Sequence, residues 1–198
     1  MDKSDLFVYI FIGLVVVFSI HLFLKSDMVN LKCIISEVDG NTYCVRDRAK
    51  LKDAADLLAN VTGRCTTLVN YLYNTYPNDN RCKRLYNNYN PLKITETLPT
   101  SKLKAYSENK GEKIAFCLNK RNENNNKLID INTLTFVALH ELSHLMTKSI
   151  GHNKEFWDNF KFILDNAVQI KIYEPVNYRE NPQNYCGMNI TDNPYYDS

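Results

Sequence analysis

The sequence predicts an α+β fold behind one N-terminal transmembrane helix, on three observations. An uncharged apolar run opens the chain from Leu6 to Leu24, apolar residues recur at helical spacing in three later stretches, and short β-prone segments stand among them. The 198 residues, 44% hydrophobic and 23% charged, leave room for about one domain and exclude a disordered polar tail, a collagen-like chain and a multi-pass channel. Mean hydropathy of −0.36 describes a soluble protein on average, and that average conceals the apolar N-terminus. Lys and Arg number 24 against 22 Asp and Glu, for a net charge of +2, and no basic tract stands out. Without that electrostatic footprint, no nucleic acid is expected among the partners.

Residues 1–5 form a short flank, residues 6–24 the anchor, and residues 25–198 the remaining domain. At about 1.5 Å per residue, the run LFVYIFIGLVVVFSIHLFL is long enough for the roughly 30 Å hydrocarbon core. It exceeds the usual signal-peptide core, only Lys3 precedes it as a basic residue, and no A-x-A-like site follows; an uncleaved single-pass anchor is favoured. Lys3 before the run and Lys25 and Lys32 after it give almost no positive-inside bias, so orientation is not set. His21 lies near the end of the run, within reach of the interface.

After the anchor, Leu31 to Val45 alternates loosely around Asp39-Gly40, the pattern of a short hairpin. Leu51, Ala54, Ala55, Leu58, Val61, Leu68, Val69 and Leu72 mark a long helix, which Tyr76-Pro77-Asn78-Asp79-Asn80 ends. Ile114 to Leu118 is β-prone and is introduced by Lys110-Gly111-Glu112-Lys113; Asn122 to Asn126 reads as a polar loop. A second helix begins near Asn132, a possible N-cap, and a third runs from about Asn153 to Ala167 with Phe156, Trp157, Phe160, Ile163 and Leu164 on one face. The Pro-containing tail from Tyr173 is expected to wrap over the domain as an irregular segment.

The six cysteines include no C-x-x-C pair, which leaves a zinc ribbon or thioredoxin-like motif unsupported. Cys65, on a helical face with Val61, Leu68 and Leu72, and Cys117, inside IAFCL, read as buried apolar thiols. Cys33 and Cys44 are placed to pair across the hairpin, an option that composition leaves open.

The second helix contains His140-Glu141-Leu142-Ser143-His144, an H-E-x-x-H motif. Positions four apart lie on one face about a turn from each other, so both imidazoles reach one Zn2+ ion. Glu141 beside them is placed as general base to take a proton from a metal-activated water. Catalytic zinc usually takes three protein ligands. Of the four histidines, His21 is in the apolar run, which leaves His152 as the third histidine. On a continuous helix it would lie about 12 Å along the axis from His144, out of reach. Gly151 resolves the conflict by adopting a left-handed C-cap conformation that ends the helix and turns the chain back. His152 is therefore favoured over its carboxylate rivals, Glu155 and Asp158.

The segment HELSHLMTKSIGHNKEFW resembles the active-site segment of SprT-like and WLM-type zinc metallopeptidases, in which an H-E-x-x-H helix leads through glycine to a third His followed by an aromatic pair. The likeness to zinc peptidases of large DNA viruses and their relatives extends over VDGNTYCVRD, AADLLA, YSENKGEKIAFCL and YCGMNITDNP. It implies a zincin-like domain, a small mixed sheet with an active-site helix, and a β-strand edge beside that helix on which the substrate backbone pairs. Ile114–Leu118 is the candidate edge. Tyr185-Cys186-Gly187-Met188 is open to two readings: a methionine turn near the metal, or a packed Met and Tyr in a tail crossover, which is favoured.

The expected function is that of a membrane-anchored zinc metallopeptidase, acting on a peptide or protein substrate at a virion or host membrane if the chain is viral. The alternative is a structural or virion membrane protein in which the metal only staples the fold and Glu141 is dispensable. A DNA–protein crosslink protease is disfavoured by the anchor and by the missing basic tract.

Overall fold

The computed structural model describes residues 3–24, 31–99, 101–119 and 127–197. The flank at Lys25 and the loop at Asn122–Asn126 lie outside the described residues.

Helix α1 covers Lys3–Leu24, with its side chains described over 7–23, where they are exposed. Among the described residues, no helix is long and apolar enough to cross a membrane, so the span expected at Leu6–Leu24 is not supported there.

Strands β1 (Leu31–Ile35) and β2 (Thr42–Arg46) form the antiparallel hairpin that the alternation predicts, with Gly40 at φ 72 in its turn. Cys33 lies opposite Cys44, and the two are disulfide-bonded. Helix α2 (Leu51–Thr75) buries Ala55, Leu58, Cys65, Leu68 and Leu72 along the predicted face. Helix α3 (Asn80–Asn88) goes beyond the sequence reading. The turn thought only to end α2 supplies the N-cap Asp79, whose carboxylate accepts from the Arg81 amide at 2.8 Å.

Strands β3 (Ile94–Glu96), β4 (Ala105–Glu108) and β5 (Lys113–Phe116) make a mixed sheet in the order β3-β5-β4, with β5 parallel to β3 and antiparallel to β4. The segment Ile114–Leu118, expected at the edge, is therefore central and buried, and β4 forms the edge beside the helix that carries His140 and His144. Edge status depends on pairing partners, which a strand's own sequence does not carry, and β3 has only three residues. Ionic contacts join the sheet to the hairpin. Glu96, fully buried, is paired with Arg48 and accepts from the Arg46 amide at 2.7 Å, while the Arg46 guanidinium donates to Thr97 and Leu98 carbonyls.

Helix α4 (Ile131–Met146) is buried on most of its circumference, between α2, α3, β4 and helix α5 (Lys154–Gln169). Its N-cap is Asp130, accepting from the Thr133 amide at 2.8 Å, not Asn132. Asn132 instead exchanges two hydrogen bonds with the Glu174 backbone, pinning the tail to the start of α4. That tail is less irregular than expected, since it folds strands β6 (Gln183–Tyr185) and β7 (Met188–Ile190) into a hairpin. The disulfide Cys117–Cys186 ties this hairpin to the end of β5, so Cys117 is not the free thiol that its apolar setting suggested. Cys65 and Cys82 are buried and free, and burial pushes the Cys65 thiol up to about 12.

Candidate metal centre

The α4 sequence places His140 and His144 one turn apart on the face that opens to solvent. A third imidazole arrives on the loop 147–153. His152 Nε2 lies 3.1 Å from His140 Nε2 and 3.2 Å from His144 Nε2, and the ligand atoms of the three lie within 4.8 Å of one another. Three nitrogens about 2.0 to 2.1 Å from one tetrahedral ion would stand roughly 3.3 Å apart, so the spacing fits zinc. The protonation state fits as well. Burial, with the neighbouring imidazoles second, pushes His140 down to about 3; burial, then His152 and Lys110, pushes His144 down to about 4. Both rings are neutral near pH 7, as metal ligation requires.

The loop that delivers His152 departs from expectation in one respect. Gly151 has φ 84, the left-handed conformation predicted for it, but α4 has already ended at Met146. Its carbonyls are taken by side chains from elsewhere in the fold. Arg84 Nη1 donates to the Met146 carbonyl at 2.5 Å. Lys110 Nζ donates to the carbonyls of His144, Thr147 and Ser149 at 3.3, 2.9 and 2.8 Å. Cations at a helix C-terminus offset the negative end of its dipole and satisfy its last acceptors. Lys110 is aimed there by the tight β4–β5 turn, where it has φ 59 and Gly111 has φ 117. A Cβ on Gly111 would stand 2.0 Å from the Asn88 carbonyl oxygen, so the turn seats against α3 only with glycine there.

Neither carboxylate rival turns toward the imidazoles. Glu155 accepts from the Lys148 amide at 2.9 Å and from the Ser149 amide and hydroxyl at 3.1 and 2.6 Å. These bonds, the Ser149 hydroxyl foremost, hold its carboxyl down at about 2. Asp158 pairs with Lys154 at 2.8 Å. Beneath the three histidines lies the buried ring of Phe156, with centroids 4.9, 4.4 and 4.6 Å from those of His140, His144 and His152.

Glu141 is 5% exposed. Burial pushes its carboxyl up to about 7, against a hydrogen bond from the Ser107 side chain on β4. The carboxyl lines a cleft of about 590 Å³ together with the three histidines, Ser107 and Lys110. Ser107, Lys110 and the clamping role of Glu155 were not read from the sequence. The only local signal for Lys110 was the glycine after it.

A family profile described as the WLM domain matches residues 48–194. An uncharacterised protein of Acanthamoeba polyphaga mimivirus is 27% identical over 161 residues, 79% of this chain and 81% of its own length. One from Invertebrate iridescent virus 6 is 31% identical over 83 residues, 42% of this chain and 45% of its own. Among solved structures, that of Wss1 from Saccharomyces cerevisiae is similar with a TM-score of 0.47 and 19% identity, over 63% of this chain and 84% of that one.

Proposed function

The chain belongs to the WLM domain family, and from that premise we propose that it is a zinc-dependent peptidase acting on peptide or protein substrates. The observation that carries this reading is the convergence of His140, His144 and His152 Nε2 atoms beside the buried Glu141 carboxyl. In it, His140, His144 and His152 would hold the ion, with His140 and His144 kept neutral by burial. Zinc, when bound, supplies a Lewis acid that polarises a carbonyl and lowers the pKa of water. Glu141 takes the attacking water's proton and returns it to the departing amine. Its carboxyl, pushed up to about 7 by burial, lies near the pH at which both transfers are feasible. Ser107 orients it through their shared hydrogen bond. The exposed edge of β4 beside α4 offers backbone groups on which an extended substrate can pair.

Attachment to a membrane, of a virion or of an infected host, through the N-terminal helix belongs to the same proposal. It is supported by the uncharged run Leu6–Leu24 and by the outward apolar side chains from Phe7 to Phe23. Recovery of the full chain in the pellet after alkaline carbonate extraction is expected; its release to the supernatant would remove the membrane from the reading.

The test of catalysis is Glu141→Gln in the full chain. The variant is expected to keep one zinc per chain and to lose peptide hydrolysis by at least about a hundredfold. Full activity in a pure preparation would overturn the role of Glu141, and zinc binding without hydrolysis by the native chain would favour a metal that only staples the fold.

A further inference from the structure

The two disulfides stand in opposite surroundings. Cys117 and Cys186 are buried, at 6% and 3% exposure. Cys33 is exposed on β1, and Cys44, opposite it on β2, is half-buried. Both line a cavity of about 470 Å³ that shares no lining residue with the cleft at the histidines. Lys93, Lys113, Glu108 and Glu112 line it too, with the exposed Leu92 as an apolar wall. A disulfide open to solvent is the exchangeable kind; a buried one resists attack. The hairpin does not depend on that bond alone. Five residue pairs align β1 with β2, and the Ser36 hydroxyl and Glu37 amide donate to Asp56 on α2 at 2.5 and 3.0 Å. Opening the disulfide therefore leaves the strands paired and the cavity formed.

We propose that this cavity binds a small peptide thiol, whose thiolate opens the Cys33–Cys44 disulfide and forms a mixed disulfide at Cys33. The ligand class follows from the lining. The ammonium groups of Lys93 and Lys113 attract carboxylates, and the carboxylates of Glu108 and Glu112 attract an amino group. A short cysteine-containing peptide with free termini carries all of these, and the volume lies within the roughly 300 to 1,000 Å³ usual for small-molecule sites. Cys33 is the sulfur attacked because it is the exposed one of the pair. In the step, a bond from the ligand sulfur to Cys33 Sγ forms as the Cys33–Cys44 bond breaks, and the electron pair leaves on Cys44 Sγ as a thiolate. The ligand thiol is oxidised, Cys44 is reduced, and the proton shed by the ligand passes to water. The site stands independently of peptide hydrolysis.

Reduced glutathione is the probe, added to the oxidised full-length chain in detergent. After a short exposure the reaction is stopped with acid, new thiols are capped with a maleimide, and peptide mass spectrometry locates both groups. The expected product carries a single glutathione on Cys33 and the maleimide on Cys44, with Cys117–Cys186 intact. No adduct, an adduct on Cys44, or opening of Cys117–Cys186 at the same rate overturns the assignment. Rates then separate recognition from simple reactivity. At equal thiolate concentration, glutathione is expected to open Cys33–Cys44 at least about tenfold faster than 2-mercaptoethanol, a thiol without charged groups to recognise. Lys93→Glu combined with Lys113→Glu is expected to remove that advantage while leaving the rate with 2-mercaptoethanol unchanged, the sign of an intact hairpin. S-methylglutathione, which cannot exchange, is expected to slow 2-mercaptoethanol by occupying the cavity. Equal rates for the two thiols, an advantage that survives the double substitution, or no slowing by S-methylglutathione overturns the binding site.

Discussion

Glu155 accepts two hydrogen bonds from Ser149, one from its amide at 3.1 Å and one from its hydroxyl at 2.6 Å. The carboxylate thereby anchors the first part of the loop whose far end carries His152. A residue with the chemistry of a ligand serves the ligand's position instead. Glu155→Ala is expected to weaken zinc retention roughly tenfold, the cost usual for partners that support metal ligands. His152→Ala should weaken it much further. Competition with a chromogenic chelator compares the two, and a loss from Glu155→Ala equal to that from His152→Ala would return Glu155 to the ligand set.

Gly111→Ala forces a Cβ to within 2.0 Å of the Asn88 carbonyl oxygen at a φ of 117. The contact is with backbone, which cannot swing aside. A loss of roughly 2 kcal/mol or more in denaturant unfolding is expected. Because the same turn aims Lys110 at the end of α4, the variant's zinc affinity should fall as well; unchanged stability would contradict the packing described.

Glu96→Ala removes the carboxylate that partners Arg48, whose side chain is 6% exposed. The guanidinium then remains buried without its counter-charge. Breaking a buried pair in this way costs about 3 to 5 kcal/mol. Chemical denaturation should report a loss of that order, with zinc affinity much less affected than by changes in the loop 147–153.

The metal-free protein should lose stability as pH falls. Unfolded imidazoles take up protons near the ordinary value of 6.5, while burial holds folded His140 down at about 3 and His144 at about 4. Between these limits the two unfolded imidazoles bind two more protons, against the one that folded Glu141, pushed up to about 7, holds above its ordinary 4.5, so unfolding still becomes easier below about pH 6.5, at about half the slope of the imidazoles alone. Thermal melts of chelator-treated protein from pH 7.5 to 4.5 are expected to show this decline. His144→Gln should flatten it, and an unchanged slope would count against burial as the cause.

Spacing along the chain determined the local part of the centre. His140 and His144 share a face because four residues make about one helical turn, and Gly151 takes a positive φ because it alone there lacks a Cβ. The long face of α2 and the hairpin around Asp39-Gly40 were equally local and equally legible. Tertiary structure decided what depends on distant partners. It made β4 the edge and buried β5, by pairing β5 with a three-residue strand that carries no periodicity of its own. It joined Cys117 to Cys186 across a separation of 69 residues. It ended α4 at Met146, five residues short of Gly151, because Arg84 and Lys110 bring cations to its last carbonyls from other elements. Periodicity and turn chemistry encode contacts within a few residues; strand order, disulfide pairing and charge at a helix end are set by neighbours that become neighbours only when the chain has folded.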